Sequence, residues 1–590
     1  MKKKYTFNVD NRIWRSLHSS TIQYSDGSET EDYLFNLLKS AKDVSSISSE
    51  LNNAIQDWPS EYHLSRVRHN LLRPFNIKKN HKILELGCGC GAMTRYLGEI
   101  GASVIAVEGS HKRSMIAAER CRDLPNVNIY CDNIKEFNLG EKFDYVTLIG
   151  VLEYAPVYIQ SDDPVKTCLE IALSFLKEDG ILILAIENQL GLKYFNGCAE
   201  DHTCIPYFGI NNCYNKFTPV TFARSDLNQK LNDAGFCNST FFYPFPDYKV
   251  PRILLAHEAL THPSFNVPDF LCTMASRDYS GNPYRAFHEG RVWPLLARNS
   301  LIEDLANSFL VISSRNIENH KHIKKTPWLA ASYTTDRHPS YATETCIVES
   351  PNKALEVIKS LIYPEATKAS NFTGNIIHQP QAKSPYFYGK LLLAELQDSM
   401  ATHGDISIVL KPWFEFLKAQ SVNRKNSATA IPGKFLDCIP RNLVLDEYGK
   451  CNFFDEEWIF DRPIPMLWVI IRGIVSSLES SIKQNNIIGM TLRNFVTRLL
   501  ADCEIKIEKE DWLLIEKMET DLQNHVRGYP IPFSYQKHHD QIITNETSFL
   551  CRINHLENEV KGLKLMSEPR KFPILFRIVK KLMRRIRGSR

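Results

Sequence analysis

The stretch from residue 82, KILELGCGCGAMTRYLGEIGASVIAVEGS, constrains the fold more than any other part of the chain. An apolar run from Lys82 to Leu86 reads as a strand ending in a turn that carries Gly87, Gly89 and Gly91. A helical stretch follows, and a second apolar run, Ser103 to Val107, stops at Glu108. Strand, helix and strand in so short a span make a βαβ unit with parallel strands and a ligand crevice at their carboxyl ends. Glycines let the turn bend sharply and let backbone approach a ligand, while a carboxylate closing the second strand accepts both hydroxyls of a ribose. The turn has neither the G-x-G-x-x-G of dinucleotide binders nor the G-K-[ST] of phosphate binders, so a nucleoside without a pyrophosphate is the expected ligand. An ordinary tight turn is the competing reading of the glycines alone.

The alternation continues. NVNIYCDNI places Asp132 at a strand end, and FDYVTLIGVLEY is a buried strand that opens into Glu153 and Tyr154. A helix covers 164–177, and GILILAIEN is a further strand. At this point the sequence resembles the class I S-adenosylmethionine-dependent methyltransferases. The resemblance implies a Rossmann-like α/β fold and a cofactor held by Glu85, Gly87, Gly89, Gly91, Glu108 and Asp132, the last near the adenine amine. The strands NSTFFYPFP and NSFLVISS fit as the terminal pair of such a sheet, which puts the end of the domain near residue 316. The long connection between them reads as a lid or an insertion. His63, Arg66, Arg68, Asp201 and His202 are candidates for holding an anionic or hydroxylated acceptor. A phosphate oxygen needs no base, whereas a sugar hydroxyl does, and His202 is the first candidate for that base.

A chain of 590 residues holds several domains at roughly 100–200 residues each. Its fifteen Cys follow no metal-like or disulfide-framework pattern, and MKKKYTFNV is no signal peptide, so a reducing cytoplasm is expected. The longest apolar run, IPMLWVIIRGIV, is broken by Arg472 and is too short to span a bilayer. The last 23 residues carry nine Lys or Arg against Glu568 alone, an excess larger than the net charge of +4, so everything before them is net acidic. A nucleic-acid enzyme spreads positive charge over its folded face, so this distribution argues against nucleic acid as a partner.

The second half adds different chemistry. In DCIPRNLVLDEYGKCNFFDEEW, Asn442 follows Asp437 by five residues and Asp455 follows Asn442 by thirteen, around a hairpin of LVLD and CNFF joined by EYGK. Phosphotransferases with a kinase-like fold use this order: an Asp orients the accepting hydroxyl, an Asn binds magnesium, and a second Asp bridges the nucleotide phosphates through metal. A plain hairpin with two exposed carboxylates is the alternative. Upstream, TETCIVESPNKALEVIKSLIY reads as two strands around the turn SPNK, with Lys359 where kinases grip the phosphates and Glu395 as its helical ion-pair partner. No glycine-rich loop precedes it, and FLDC and FDEEW stand where protein kinases have HRD and DFG, which speaks against a protein substrate.

The combination resembles the bifunctional methyltransferase–kinases that terminate lipopolysaccharide O-antigen chains. That resemblance implies a methyltransferase domain at 1–316, an α+β kinase-like domain at 325–540, a short coiled coil at 541–566 and a basic amphipathic helix at 568–590. It implies ATP and Mg²⁺ beside S-adenosylmethionine, Asp437 as a catalytic residue, and Asn442 and Asp455 as metal ligands. The implied partners are a lipid-linked polysaccharide, the glycosyltransferases that polymerise it, an anionic membrane surface and a second copy of the chain. The implied location is the cytoplasmic face of the bacterial inner membrane. Spacing at Ile542, Phe549, Ile553, Leu556, Val560 and Leu563 supports a short heptad array. The tail's apolar stripe from Leu575 to Ile586, flanked by Arg and Lys, suits a helix lying on lipid. The alternative function is a methyltransferase of a sugar hydroxyl whose kinase-like domain only binds.

Overall fold

The computed structural model describes residues 5–16, 27–281, 285–367, 375–422, 429–479, 487–531 and 534–543. The expected coiled coil, except for residues 541–543, and the expected amphipathic helix lie outside these residues.

One mixed sheet of fourteen strands runs through the chain. Its strands are β1 (Tyr5–Asn8), β2 (Ile13–Ser16), β3 (Lys82–Leu86), β4 (Ser103–Glu108), β5 (Val127–Cys131), β6 (Phe143–Ile149), β7 (Leu176–Glu187), β8 (Asn238–Phe245), β9 (Ile253–Ala256), β10 (Ser308–Ser314), β11 (Trp328–Tyr333), β12 (Thr343–Glu349), β13 (Leu355–Leu361) and the edge strand Lys383–Pro385. In space the order is β1-β2-β5-β4-β3-β6-β7-β10-β8-β9-β11-β12-β13 and then the edge strand. From β2 to β7 every pairing is parallel. From β10 outward every pairing is antiparallel.

The parallel block is covered on both faces, which is why its strands read as unbroken apolar runs rather than alternating ones. In β3, Ile83, Leu84 and Leu86 are fully buried, and in β7 every residue from Gly180 to Glu187 is buried. Apolar groups on the two faces form two separate cores. The expected terminal pair forms as read: β10 lies between β7 and β8, with Val311 opposite Leu184 on one side and Phe241 on the other.

The sheet does not stop at residue 316. β9 arises inside the long connection between β8 and β10, and pairs with β11, whose strand continues into the expected hairpin β12–β13. The turn SPNK joins that hairpin as anticipated, with Cys346 opposite Ile358. The rest of the second half is built on its own core from the helices Leu392–Thr402, Ile406–Ala419, Met466–Glu479, Leu492–Asp502 and Lys509–Arg527. The run IPMLWVIIRGIV supplies the central helix, Met466–Glu479, with Trp468, Val469, Ile470 and Ile471 buried. Among the described residues no helix is long and apolar enough to cross a membrane.

Candidate active sites

Two cavities lie at the chemistry read from the sequence. The first, about 260 Å³, opens at the carboxyl ends of β3, β4 and β6. The turn after β3 forms its floor. Gly87 has φ +76°, and a Cβ there would meet Val151 at 2.6 Å. Gly91 has φ +79° and lies against Ala117, where a Cβ would come within 2.9 Å of the neighbour's backbone. A side chain at either position would clash as well as strain the backbone. Glu108 is fixed by two backbone donors: Gly89 N–H at 2.8 Å to one oxygen and Ser110 N–H at 2.9 Å to the other. Each oxygen keeps a lone pair for a ribose hydroxyl. Glu85 lines the same cavity, and burial pushes it up to about 7 despite a 2.6 Å hydrogen bond from Thr94.

Asp132 sits differently from its expected place near an adenine amine. It is fully buried and outside the cavity lining, with one oxygen accepting Tyr5 O–H at 2.7 Å and the other the N–H of Asn133 at 2.9 Å. Ile134 takes the lining position. The N-terminal strand β1, which carries Tyr5, is what captures this carboxylate.

The far wall is a buried ionic cluster. Glu187, the last residue of β7, pairs with Lys249 at 2.5 Å. Lys249 also pairs with Asp201, which accepts Lys193 at 2.8 Å. Glu187 Oε2 lies 3.4 Å from His202 Nε2, and Tyr154 O–H meets His202 Nδ1 at 3.1 Å. Burial and the neighbouring Glu187 push Glu153 upward. Burial alone would lower His202, but the carboxylates of Glu187, Glu153 and Glu200 reverse this and raise it to about 9. With no cation bound, that rise favours the charged imidazole, which weighs against the expected use of His202 as a base. Of the other acceptor candidates, His63, Arg68 and Asp201 line the cavity and Arg66 does not. Asp201 is occupied by its two lysines. Sequence reasoning missed Lys249, Tyr248 and Tyr279. The first two follow β8 at a strand end, and Tyr279 belongs to the insertion, where it donates to Asp247 at 2.5 Å and stacks on Trp58 at 3.9 Å.

The second cavity, about 510 Å³, lies between β11–β13, the insertion and the hairpin Leu443–Leu445/Cys451–Phe453. Asp269, Lys359, Arg441, Asp455, Glu456 and Glu457 supply its charge. Lys359 bonds to both Asp455 and Glu457. Asp455 has φ +68°, a left-handed conformation that a non-glycine residue holds only where surrounding structure imposes it, often at functional sites. Asp437 and Asn442 are buried and lie outside the cavity lining. Asp437 accepts Arg472 at 2.6 Å, and the amide nitrogen of Asn442 donates to the carbonyl of Asp437 at 2.9 Å, leaving its oxygen as the available ligand atom. Glu395 is the correction here. It pairs with Lys390, five residues away, and not with Lys359. Its place is taken by Glu457, which is 1% exposed and holds Lys359, Arg337 and His378. The signal was present in FDEEW, two residues past Asp455, but nothing in spacing distinguishes Glu457 from Glu456.

Comparison with known proteins bears on the first cavity. Residues 60–237 match a family model described as a methyltransferase domain. The malonyl-acyl-carrier-protein O-methyltransferase of Bacillus anthracis is 26% identical over 129 residues, 21% of this chain and 45% of that protein. A ubiquinone biosynthesis O-methyltransferase of Bradyrhizobium diazoefficiens is 27% identical over 120 residues, 20% of this chain and 44% of that one. The chain thus spans about half the length of the curated relatives it matches. The CcbJ methyltransferase structure from Streptomyces caelestis is 14% identical, covering 46% of this chain and 98% of that chain at a TM-score of 0.27, too low to carry an argument. The glycine turn, Glu85 and Glu108 of the first cavity fall in the matched segment, which supports a class I S-adenosylmethionine-dependent methyltransferase, while Trp58, Tyr248, Lys249 and Tyr279 line it from outside that segment.

Proposed function

We propose that the chain joins this methyltransferase to a phosphotransferase, and that it phosphorylates the terminal sugar of a lipid-linked polysaccharide and methylates the new phosphate, which ends chain growth. The observation that carries the second activity is the contact of Lys359 with Asp455 at the wall of the larger cavity, with Asp455 in its left-handed conformation. A surface hairpin gives no reason for that conformation or for a half-buried lysine beside it.

In the first cavity, the glycine turn and Glu108 fit a nucleoside, and S-adenosylmethionine bound there supplies an electrophilic methyl group whose C–S bond breaks as the new C–O bond forms. Arg68 favours an anionic acceptor, and a phosphate oxygen is already ionised at neutral pH, so no base is required. At the second cavity, Lys359 would hold nucleotide phosphates and Asp455 would bind Mg²⁺, with Asn442, buried behind the lining, as a further ligand; ATP bound there would supply the phosphoryl group. Asp437, fixed by Arg472, would orient the attacking sugar hydroxyl. The polysaccharide, the polymerising glycosyltransferases, self-association and a peripheral position on the inner membrane through residues 568–590 belong to the same proposal, supported by the sequence resemblance.

The test is mass spectrometry of a synthetic oligosaccharide incubated with ATP, Mg²⁺ and S-adenosylmethionine, each omitted in turn. Phosphate should appear only with ATP, and methyl only when both co-substrates are present. Methylated glycan formed without ATP would replace this reading with the sugar-hydroxyl methyltransferase.

A further inference from the structure

Glu153, Glu187 and His202 come from three separate segments: the turn after β6, the end of β7 and the loop that follows it. Each offers one ligand atom, and the three atoms lie within 4.8 Å of one another. Glu153 and Glu187 are 1% and 0% exposed. Glu153 Oε2 is buried with no hydrogen-bond partner, a costly state for a carboxylate oxygen unless something else binds it. The 3.4 Å between Glu187 Oε2 and His202 Nε2 is longer than an ordinary N–H···O bond. It equals the edge of a tetrahedral site between two ligands that each lie about 2.1 Å from a common ion.

The outer contacts point the donors inward. Lys249 holds Glu187 by its other oxygen, Oε1, so Oε2 is left to the cluster. Tyr154 holds His202 by Nδ1, so Nε2 is left to the cluster. Groups that bind the far side of a ligand in this way fix its orientation and tautomer at metal centres.

We propose that Glu153, Glu187 and His202 bind a divalent cation in the methyltransferase cavity. One imidazole and two carboxylates suit Mn²⁺ to Zn²⁺ better than Ca²⁺, which prefers an all-oxygen shell. Glu153 and His202 line the cavity, so the remaining coordination positions face the acceptor side. The ligand for those positions is an acceptor oxygen, whether of a phosphate or of a hydroxyl. The proposal rests on the methyltransferase reading only in assigning that ligand.

Mn²⁺ binding to the full chain is followed by electron paramagnetic resonance of the free ion, without nucleotide, in the wild type and in Asp455→Ala, which disables the other candidate metal position. The Asp455→Ala protein should still bind one Mn²⁺. Adding Glu153→Gln or His202→Gln to it should weaken that binding at least tenfold. Calorimetry with S-adenosylhomocysteine on the same samples shows that each variant remains folded. Failure of that ligand to bind the wild type would count against the methyltransferase reading and not against the ion site. Absence of bound Mn²⁺ in Asp455→Ala, or binding unchanged by both further substitutions, would overturn the proposal.

Discussion

Two carboxylates separate what a residue does from what its spacing suggests. Glu108→Ala removes an acceptor held ready by two backbone donors and should weaken S-adenosylhomocysteine binding by roughly 1.5–3 kcal/mol, measured by calorimetry. Glu457→Gln takes a charge from the buried group that holds Lys359, and should cut the proposed phosphoryl transfer on the order of 10- to 100-fold, about 1.4–2.7 kcal/mol. Its effect should appear mainly in KM for ATP, while Glu395→Gln, on the exposed Lys390 pair, should change activity less than twofold. Equal losses in the two variants would return the lysine-holding role to Glu395. Glu108 and Lys359 were legible because each sits at a strand end or strand centre fixed by a local pattern. Asp132 lies off the cavity because its partner Tyr5 is 127 residues away and is brought to it by tertiary packing, which no local pattern reports; Glu395 is taken by a lysine only five residues away, Lys390.

Elements were easier to read than the contacts between them. The parallel strands, the hairpin β12–β13 and the β8/β10 pair all followed from apolar runs and turns. β9 was not legible: four apolar residues inside a long connection do not announce a strand until β11 pairs with it. The segment Ile317–His322, after β10, offers a pH test. His320 is held by Thr240 on β8 at 2.8 Å and by Ser314 on β10 at 2.9 Å. Burial lowers His320 to about 4. An unfolded histidine titrates near 6.5, so this contribution is complete above about pH 6.5 and is lost as pH falls towards 4. After allowance for partial solvent screening the loss is about 1–2 kcal/mol. Urea midpoints at about pH 7.5 and about pH 4.5 should differ less in His320→Gln than in the wild type. An unchanged difference would mean that other groups carry the acid sensitivity.

At the scale of the molecule, the two halves share a sheet. A chain ended at residue 316 would lose β11 from beside β9, whose Ile253, Leu254, Leu255 and Ala256 are buried in the full chain. An exposed apolar edge strand pairs with other chains, so the shortened protein should aggregate on size-exclusion chromatography. A monomer with normal S-adenosylhomocysteine affinity would show that the N-terminal half is an independent unit.

The β9–β11 seam also bears on how such a protein changes over generations. Halves joined only by a loop can be exchanged, duplicated or discarded by recombination at the join. Halves stitched through adjacent strands cannot, since any crossover must also supply a matching neighbour for β9. If the second half carries the proposed phosphoryl transfer, a descendant that dispensed with it would be expected to keep the whole half as scaffold and to decay at single positions such as Lys359 or Asp455, so ancestry would be written in point changes and not in missing segments.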